Sequence, residues 1–304
     1  MFSRRKYSGY SPEQCPSPEK GQDGVFESGF AALENPAFPL FSDVEDNCEA
    51  GLSSYFETSM RKKWTRRHYI DLFAGPGKCV CRKTGTVYLG SPLLALTTKY
   101  PFTDYVFVDS DPENIVALQE RGEALSASAR IQFIVDDANR VAEEIVQRLH
   151  RAPSLNLAFL DPDGLEELRW KTVATLAKIE RLDLIIHYSQ MGLTRTMPQA
   201  YESEGETIVD SFFGDREWRK IYGEYCRKEE SFLHRQLMDH YKSKLKELGY
   251  KETYRDDEVG AEPLMRNEKN APLYRLLFAS KHPLGLKFWE KVISRDAHGQ
   301  RRLF

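Results

Sequence analysis

Between His68 and Ser189 short apolar runs alternate with longer amphipathic ones, and each apolar run stops at a turn or an acid. Ile70-Asp71-Leu72-Phe73 predicts a buried strand ending in Gly75-Pro76-Gly77. Tyr105–Val108 predicts a second, closed by Asp109, and Ile131–Val135 a third, followed by Asp136-Asp137-Ala138. Leu157–Leu160 predicts a fourth, ending at Asp161-Pro162, and Leu182–Ser189 a fifth. Helices are predicted from Ser91-Pro92 through Tyr100, from Pro112, over Asn139–His150 and over Trp170–Ile179, the first with Ser91 as its cap. Short apolar strands spaced by helices predict a parallel sheet covered on both faces. After Met191 the alternation stops. Residues 197–249 read as two or three helices, an insertion or cap beside the sheet, closed by Gly249. Tyr250–Tyr254 and Leu273–Ser280 then read as strands, and Leu284–Ile293 as a last helix. No internal repeat is visible.

Composition divides this pattern in two. Residues 1–40 carry five of the fifteen prolines and no sustained apolar period, so residues 1–60 are read as a variable leader, largely disordered or loosely docked. Residues 61–304 form the folded unit. The chain of 304 residues has a net charge of −3, which excludes an arginine-rich polyanion binder. That total is a sum of unlike parts: the leader holds 4 Lys/Arg and 10 Asp/Glu, a net of −6, and the remainder 39 and 36, a net of +3. Five cysteines, few and odd in number, exclude a disulfide scaffold. No apolar run approaches the roughly 20 residues of a membrane span, and no signal-like pattern opens the chain. The expectation is a cytoplasmic enzyme or binding protein.

Candidate chemistry gathers at the strand ends. A Gly-rich turn after the first strand lets a ligand approach the backbone, and an acid ending the second strand suits a ribose diol. Gly75, Gly77 and Asp109 supply that pair, with Asp71 before the turn and Asp137-Ala138 after the third strand. Acids at neighbouring strand tips repel one another unless solvated or met by a ligand's donors. An S-adenosyl ligand brings such donors: a cationic amino-acid tail, a ribose diol and an adenine amine. Gly77 to Asp109 is 32 residues, where a dinucleotide fingerprint has about 20. The excess lies in residues 78–90, so pairing of the Gly turn with a helix N-terminus is left open. A ligand without phosphates tolerates that better than NAD does. No P-loop consensus occurs.

An ordered set of motifs adds a resemblance: YIDLFAGPGKC at Tyr69–Cys79, GSPLLAL at Gly90–Leu96, FVDSDP at Phe107–Pro112, DDAN at Asp136–Asn139 and FLDPDGL at Phe159–Leu165. QMGLTR at Gln190–Arg195, Phe212-Phe213-Gly214 with Trp218, and LYRLLFASKHPLG at Leu273–Gly285 complete it. Over residues 64–304 this set resembles the three-Cys-motif partner family, TcmP. The resemblance implies a Rossmann-like methyltransferase fold of prokaryotic or phage origin, with a mostly parallel seven-stranded sheet, an antiparallel C-terminal strand and a helical insertion. It implies S-adenosylmethionine as cofactor and a partner protein bearing a three-cysteine motif. Where the family places a Lys-rich helix before the first strand, this chain has an acidic leader running into Arg61–Arg67.

Carried over by position, Asp71, Phe73, Gly75 and Gly77 would contact the methionine part of the cofactor. Asp109 would hold the ribose, and Asp137 with Ala138 would read the adenine. Asp161 and Pro162 stand where amino-methyltransferases carry an Asp-Pro-Pro-aromatic turn, but Asp163-Gly164 replaces the second proline and the ring. Asp161 is read as base or amine acceptor, against a purely structural turn. His187, with Tyr188 and Ser189, either faces the acceptor or is a satisfied core histidine. Arg195, Lys281 and His282 divide similarly between substrate contact and structural roles. Cys79-x-Cys81 lacks the second pair a zinc site needs, and no metal is expected. Arg61–Arg67 around Trp64, and residues 216–251 with ten Lys/Arg against six Asp/Glu, are either nucleic-acid surfaces or ordinary solvated faces. The expected function is S-adenosylmethionine-dependent methyl transfer to a macromolecule, most readily nucleic acid, working with the three-Cys-motif protein. The alternative is a non-catalytic Rossmann-like subunit that binds or regulates that protein.

Overall fold

The computed structural model describes residues 61–80, 85–98, 101–125, 130–150, 152–228, 232–253, 262–267 and 269–293. The leader over residues 1–60, and Cys81, lie outside the described residues. Ten strands and nine helices form among those described. In chain order they are β1 (Arg66–Asp71), β2 (Lys78–Val80), β3 (Val87–Leu89), α1 (Ser91–Leu96), β4 (Asp104–Asp109) and α2 (Pro112–Leu125). Next come β5 (Arg130–Val135), α3 (Ala138–Leu149), β6 (Ser154–Leu160), α4 (Trp170–Leu176) and β7 (Leu182–Tyr188). Four helices follow: α5 (Gln190–Glu202), α6 (Ile208–Phe213), α7 (Glu217–Cys226) and α8 (Leu233–Glu247). The last described elements are β8 (Glu252–Thr253), β9 (Leu264–Arg266), β10 (Pro272–Ser280) and α9 (Pro283–Ile293).

The main sheet runs β5-β4-β1-β6-β7-β10-β8, with β9 also paired to β10. The first five strands are parallel and β10 runs antiparallel to β7. This is the Rossmann-like methyltransferase arrangement: an α/β fold whose mostly parallel sheet carries an antiparallel C-terminal strand. Because side chains alternate across a strand, each strand feeds two cores. Ile70, Val106, Ala158, Leu184 and Leu277 face a core shared with α3 through α8. Tyr69, Phe107, Leu157, Ile185 and Leu276 face the other, shared with α1, α2 and α9. No helix among the described residues is long and apolar enough to cross a membrane.

Several element boundaries differ from the sequence reading. β1 begins at Arg66 rather than Ile70, because Arg66 finds a partner in Asp104 at 2.7 Å on the neighbouring strand. Arg67 donates to the carbonyl of Trp64 at 2.8 Å, so part of the basic cluster anchors the strand's start. The helix expected from Ser91 to Tyr100 stops at Leu96, and its cap is Gly90, not Ser91. Three helices begin beyond residue 197, and a further one precedes them, beginning at Gln190 with Pro198 inside it. The insertion is pinned by Asp210. Its carboxylate accepts from Trp218 Nε1 at 2.8 Å and Arg219 Nη2 at 3.0 Å and closes a capping box with Thr207. Burial would raise this carboxyl, but those donors outweigh it and hold it down at about 2.

Candidate cofactor and acceptor site

Strand register brings the acids together. Asp71 of β1 lies beside Phe107 of β4 and Phe159 of β6. Two residues further along, on the same side of the sheet, come Asp109 and Asp161. Phe159 in turn lies beside Ile185 of β7, so His187 falls level with Asp161. Four of the residues singled out by sequence thus occupy one edge and one side of the sheet, at the carboxyl ends of its parallel strands, where open α/β sheets bind ligands.

Asp71 is fully buried. Its carboxylate accepts from Ser91 Oγ at 2.6 Å and from the backbone N–H of Phe73 at 3.2 Å. Burial pushes its pKa up to about 7 despite these two donors, and the neighbouring Asp161 and Asp109 add to the rise. The Ser91 hydroxyl therefore does not cap its helix; it serves the buried acid. After Asp71 the chain turns through Gly75 and Gly77, at φ +58° and +77°, left-handed values that favour glycine. A Cβ on Gly77 would stand 2.7 Å from Leu118 and 2.9 Å from Leu93, whereas one on Gly75 would meet nothing within 4 Å. The turn is packed behind Gly77 and open above Gly75.

Between this turn and α1, β2 and β3 pair antiparallel. Gly90 N–H donates to the Gly77 carbonyl at 2.8 Å, so the excess loop leaves and returns to one point. The start of α1 therefore lies beside the Gly turn, which spacing alone left open. Asp109 fixes the other side. Its Oδ2 accepts from Gly75 N–H at 2.8 Å, and its Oδ1 accepts from Asp111 N–H at 2.8 Å and Asn114 Nδ2 at 3.2 Å. Asp137 caps α3, accepting from Asn139 N–H at 2.7 Å, and Ala138 is buried at the helix start. Phe73 is half-buried and leans on the core.

At the next strand end, His187 Nδ1 hydrogen-bonds Asp161 Oδ1. The imidazole is 5% exposed and lies against Tyr274, ring centres 4.1 Å apart and tilted by 32°. Its Nε2 makes no hydrogen bond to any described residue, and it is not among the sealed polar atoms. Pro162 is buried, and the following turn closes on Glu167, whose carboxylate accepts from Asp163 N–H at 3.0 Å. Tyr274 is the residue sequence reading missed. It comes from β10, where Leu276 pairs with His187, so Tyr274 lies two residues toward the same edge. An antiparallel register over 87 residues of separation leaves no local sequence signal.

Other candidates fall elsewhere. Tyr188 is fully buried in the core of the opposite sheet face, and Ser189 caps α5. Arg195 is exposed on α5. Lys281 donates to the Ile179 carbonyl at 2.8 Å and His282 accepts from Leu284 N–H at 3.1 Å. Both sit at the opposite edge of the sheet, next to the start of β7, which turns them into structural residues. Cys79 packs inside the β2–β3 pair, its sulfur 4.0 Å from the Tyr88 carbonyl. Among the described residues no group of three His, Cys, Asp or Glu is arranged to hold a metal.

No protein-family model and no curated protein matches the sequence. Among solved structures the chain is similar to a Legionella pneumophila str. Philadelphia 1 protein of the DUF519 family, at 11% identity and a TM-score of 0.47, covering 86% of this chain and 94% of that one. It is also similar to Trm1 from Pyrococcus horikoshii in complex with S-adenosyl-L-methionine, at 11% identity and a TM-score of 0.42, covering 92% of this chain and 62% of that one. A third is DszA carbon methyltransferase, at 9% identity and a TM-score of 0.40, covering 74% of this chain and 50% of that one. At such identities none of these likenesses carries a residue, a ligand or a substrate over to this chain.

Proposed function

We propose that the chain transfers a methyl group from S-adenosylmethionine to a macromolecular acceptor, nucleic acid before protein. The observation that carries the reading is the row of groups along one sheet edge: Asp71, the open turn at Gly75, Asp109, and the Asp161–His187 pair. The residues suit the cofactor. A buried carboxyl with a raised pKa is stabilised as an anion by a cation, and the amino-acid tail of the cofactor is one. The space above Gly75 leaves room for its methionine carbon chain. Asp109 is held where a ribose hydroxyl would donate to the lone pair its Oδ2 keeps, and Asp137 would stand at the adenine end.

When bound, S-adenosylmethionine supplies an electrophilic methyl on a sulfonium. The chain's own part is alignment and removal of one proton from the acceptor. Asp161 fixes the tautomer of His187 by accepting from Nδ1–H, which leaves Nε2 with a free lone pair. His187 Nε2 would take the acceptor's N–H or O–H proton in the course of methyl transfer. Tyr274 holds the imidazole plane. Cooperation with a protein bearing a three-cysteine motif is part of the proposal and rests on the motif resemblance alone.

Thermal melting with S-adenosylhomocysteine tests the reading first. At a hundred times its dissociation constant a ligand adds about 2.7 kcal/mol, and each kcal/mol moves a chain of this size by roughly 2–4 °C. Wild type should shift by about 5–10 °C on those figures, and Asp109→Ala should not shift. No shift in folded wild type defeats the proposal. Transfer of a tritiated methyl to nucleic-acid and protein pools then identifies the acceptor.

A further inference from the structure

Beside the adenine end of the site, a groove of about 540 Å³ runs between the starts of α3 and α4, lined by Asp137, Asn139, Arg140, Arg169, Lys171 and Thr172. We infer that this groove docks the phosphate backbone of a single-stranded nucleic-acid acceptor. The inference builds on the methyl-transfer reading and names the surface that would hold its substrate.

The groove's floor is built from hydrogen bonds. Asn139 Oδ1 accepts from Thr172 Oγ1 at 2.5 Å and from Arg169 N–H at 3.2 Å, while its Nδ2 donates to the Glu167 carbonyl at 2.7 Å. These bonds tie the first turn of α3 to the segment entering α4. They fix the backbone from which Arg169 and Lys171 project. Thr172 is 2% exposed, so this wall is part of the packed structure.

The charge above that floor is unspent. Arg140 is engaged by Asp136 at 2.6 Å. Arg169 and Lys171 are exposed and make no ion pair with any described residue. The one carboxylate in the lining, Asp137, already accepts from the α3 backbone. A guanidinium and an ammonium two residues apart offer a planar fork and a point charge, the combination that follows a phosphodiester chain.

Every lining residue is polar or charged. Protein partners anchor through aromatic and aliphatic side chains in pockets, and no such side chain lines this groove. A nucleic-acid strand needs none on its phosphate side. Its bases remain free to reach the Asp161–His187 pair further along the same sheet edge.

The test compares wild type with Arg169→Glu/Lys171→Glu by fluorescence anisotropy, using a labelled 20-nucleotide single-stranded RNA of mixed sequence over a salt series. The milder Arg169→Gln/Lys171→Gln serves as a second variant should charge reversal disturb folding. Wild type should bind, and the charge-reversed variant should bind at least ~10-fold more weakly, with its salt slope reduced by about 1.4 for two lost phosphate contacts at ~0.7 each. S-adenosylhomocysteine affinity should be equal in both. Wild type that does not bind RNA, a variant whose affinity is unchanged, or poly-glutamate competing as well as RNA at equal charge each overturns the inference. Loss of S-adenosylhomocysteine binding in the variants also overturns it, by assigning the groove to the cofactor. If RNA binding follows the charges while wild type binds no S-adenosylhomocysteine, the groove stands and the methyl-transfer reading falls.

Discussion

Asp71→Asn should melt higher than wild type at pH 8 and bind S-adenosylmethionine far more weakly. Both effects come from one buried carboxyl. Burial raises its pKa from 3.8 to about 7 in the folded chain. Between those values the folded state holds a proton that the unfolded state has released, so stability falls as pH rises through the window and the full cost applies above about 7. At 1.36 kcal/mol per unit, that cost is about 4 kcal/mol. An amide carries no charge to desolvate and its oxygen still accepts from Ser91, so much of the cost should disappear. The melting temperature at pH 8 should rise by several degrees, at roughly 2–4 °C per kcal/mol. At pH 5 wild-type Asp71 is mostly protonated and the gap should shrink. Part of the wild-type pH dependence should survive in the variant. Asp183 at the opposite sheet edge is likewise buried, accepts from Ser280, and is pushed up to about 7.

The loss of binding has the opposite sign because the ligand brings the cation that the apo site lacks. A hydrogen bond to a charged partner contributes about 1.5–3 kcal/mol, so affinity should drop by roughly 10- to 100-fold. Wild-type affinity should rise with pH through neutrality, as Asp71 ionises, and that of the variant should stay flat. Differential scanning calorimetry and titration calorimetry across pH 5–9 read the two effects separately. Equal melting curves for both proteins at every pH would show that Asp71 is ionised without cost. A raised melting temperature with unaltered affinity would leave the electrostatics standing and remove the cofactor's cation from this acid.

The fold was open to sequence reading because each parallel strand is a short apolar run, four of the five closing on an acid, and because helical segments separate them. Asp109 and Asp161 announce themselves by ending such runs, and Asp71 by interrupting one just before the Gly turn. What escaped depends on partners far along the chain. Ser91 before Pro92 reads as a helix cap, and only the folded chain brings its hydroxyl to Asp71, 20 residues earlier. The paired strands β2 and β3 looked like an interruption between the Gly turn and its helix, until the bond from Gly90 to Gly77 returned the chain to its starting point. Arg66 and Arg67 read as surface charge because Asp104, which receives Arg66, lies 38 residues away. Tyr274 fell inside a motif, but nothing local tied it to His187. Its place beside His187 follows from pairing β10 antiparallel to β7, and hydrophobic pattern fixes neither that pairing nor its register.

Asp161→Asn and His187→Ala should each lower the rate of methyl transfer by about 10²–10⁴, the range for loss of a positioned general base, while leaving S-adenosylhomocysteine affinity within about twofold. The two residues act on one proton: Asp161 orients the ring through Nδ1 and His187 receives at Nε2. Their effects should therefore not add, and the double variant should be little slower than His187→Ala. Tyr274→Phe keeps the ring that lies 4.1 Å from the imidazole and should retain most of the rate. Tyr274→Ala removes that ring and should lower kcat, because the imidazole loses the surface that sets its plane. Single-turnover kinetics with saturating cofactor isolate the chemical step from product release. A rate that survives in Asp161→Asn would mean that solvent removes the proton and that the acid is a structural partner of the histidine. Strictly additive losses would separate the pair into two independent roles, with Asp161 contacting the acceptor itself. The pairing of a nearly sealed histidine with a strand-end carboxylate predicts neither outcome.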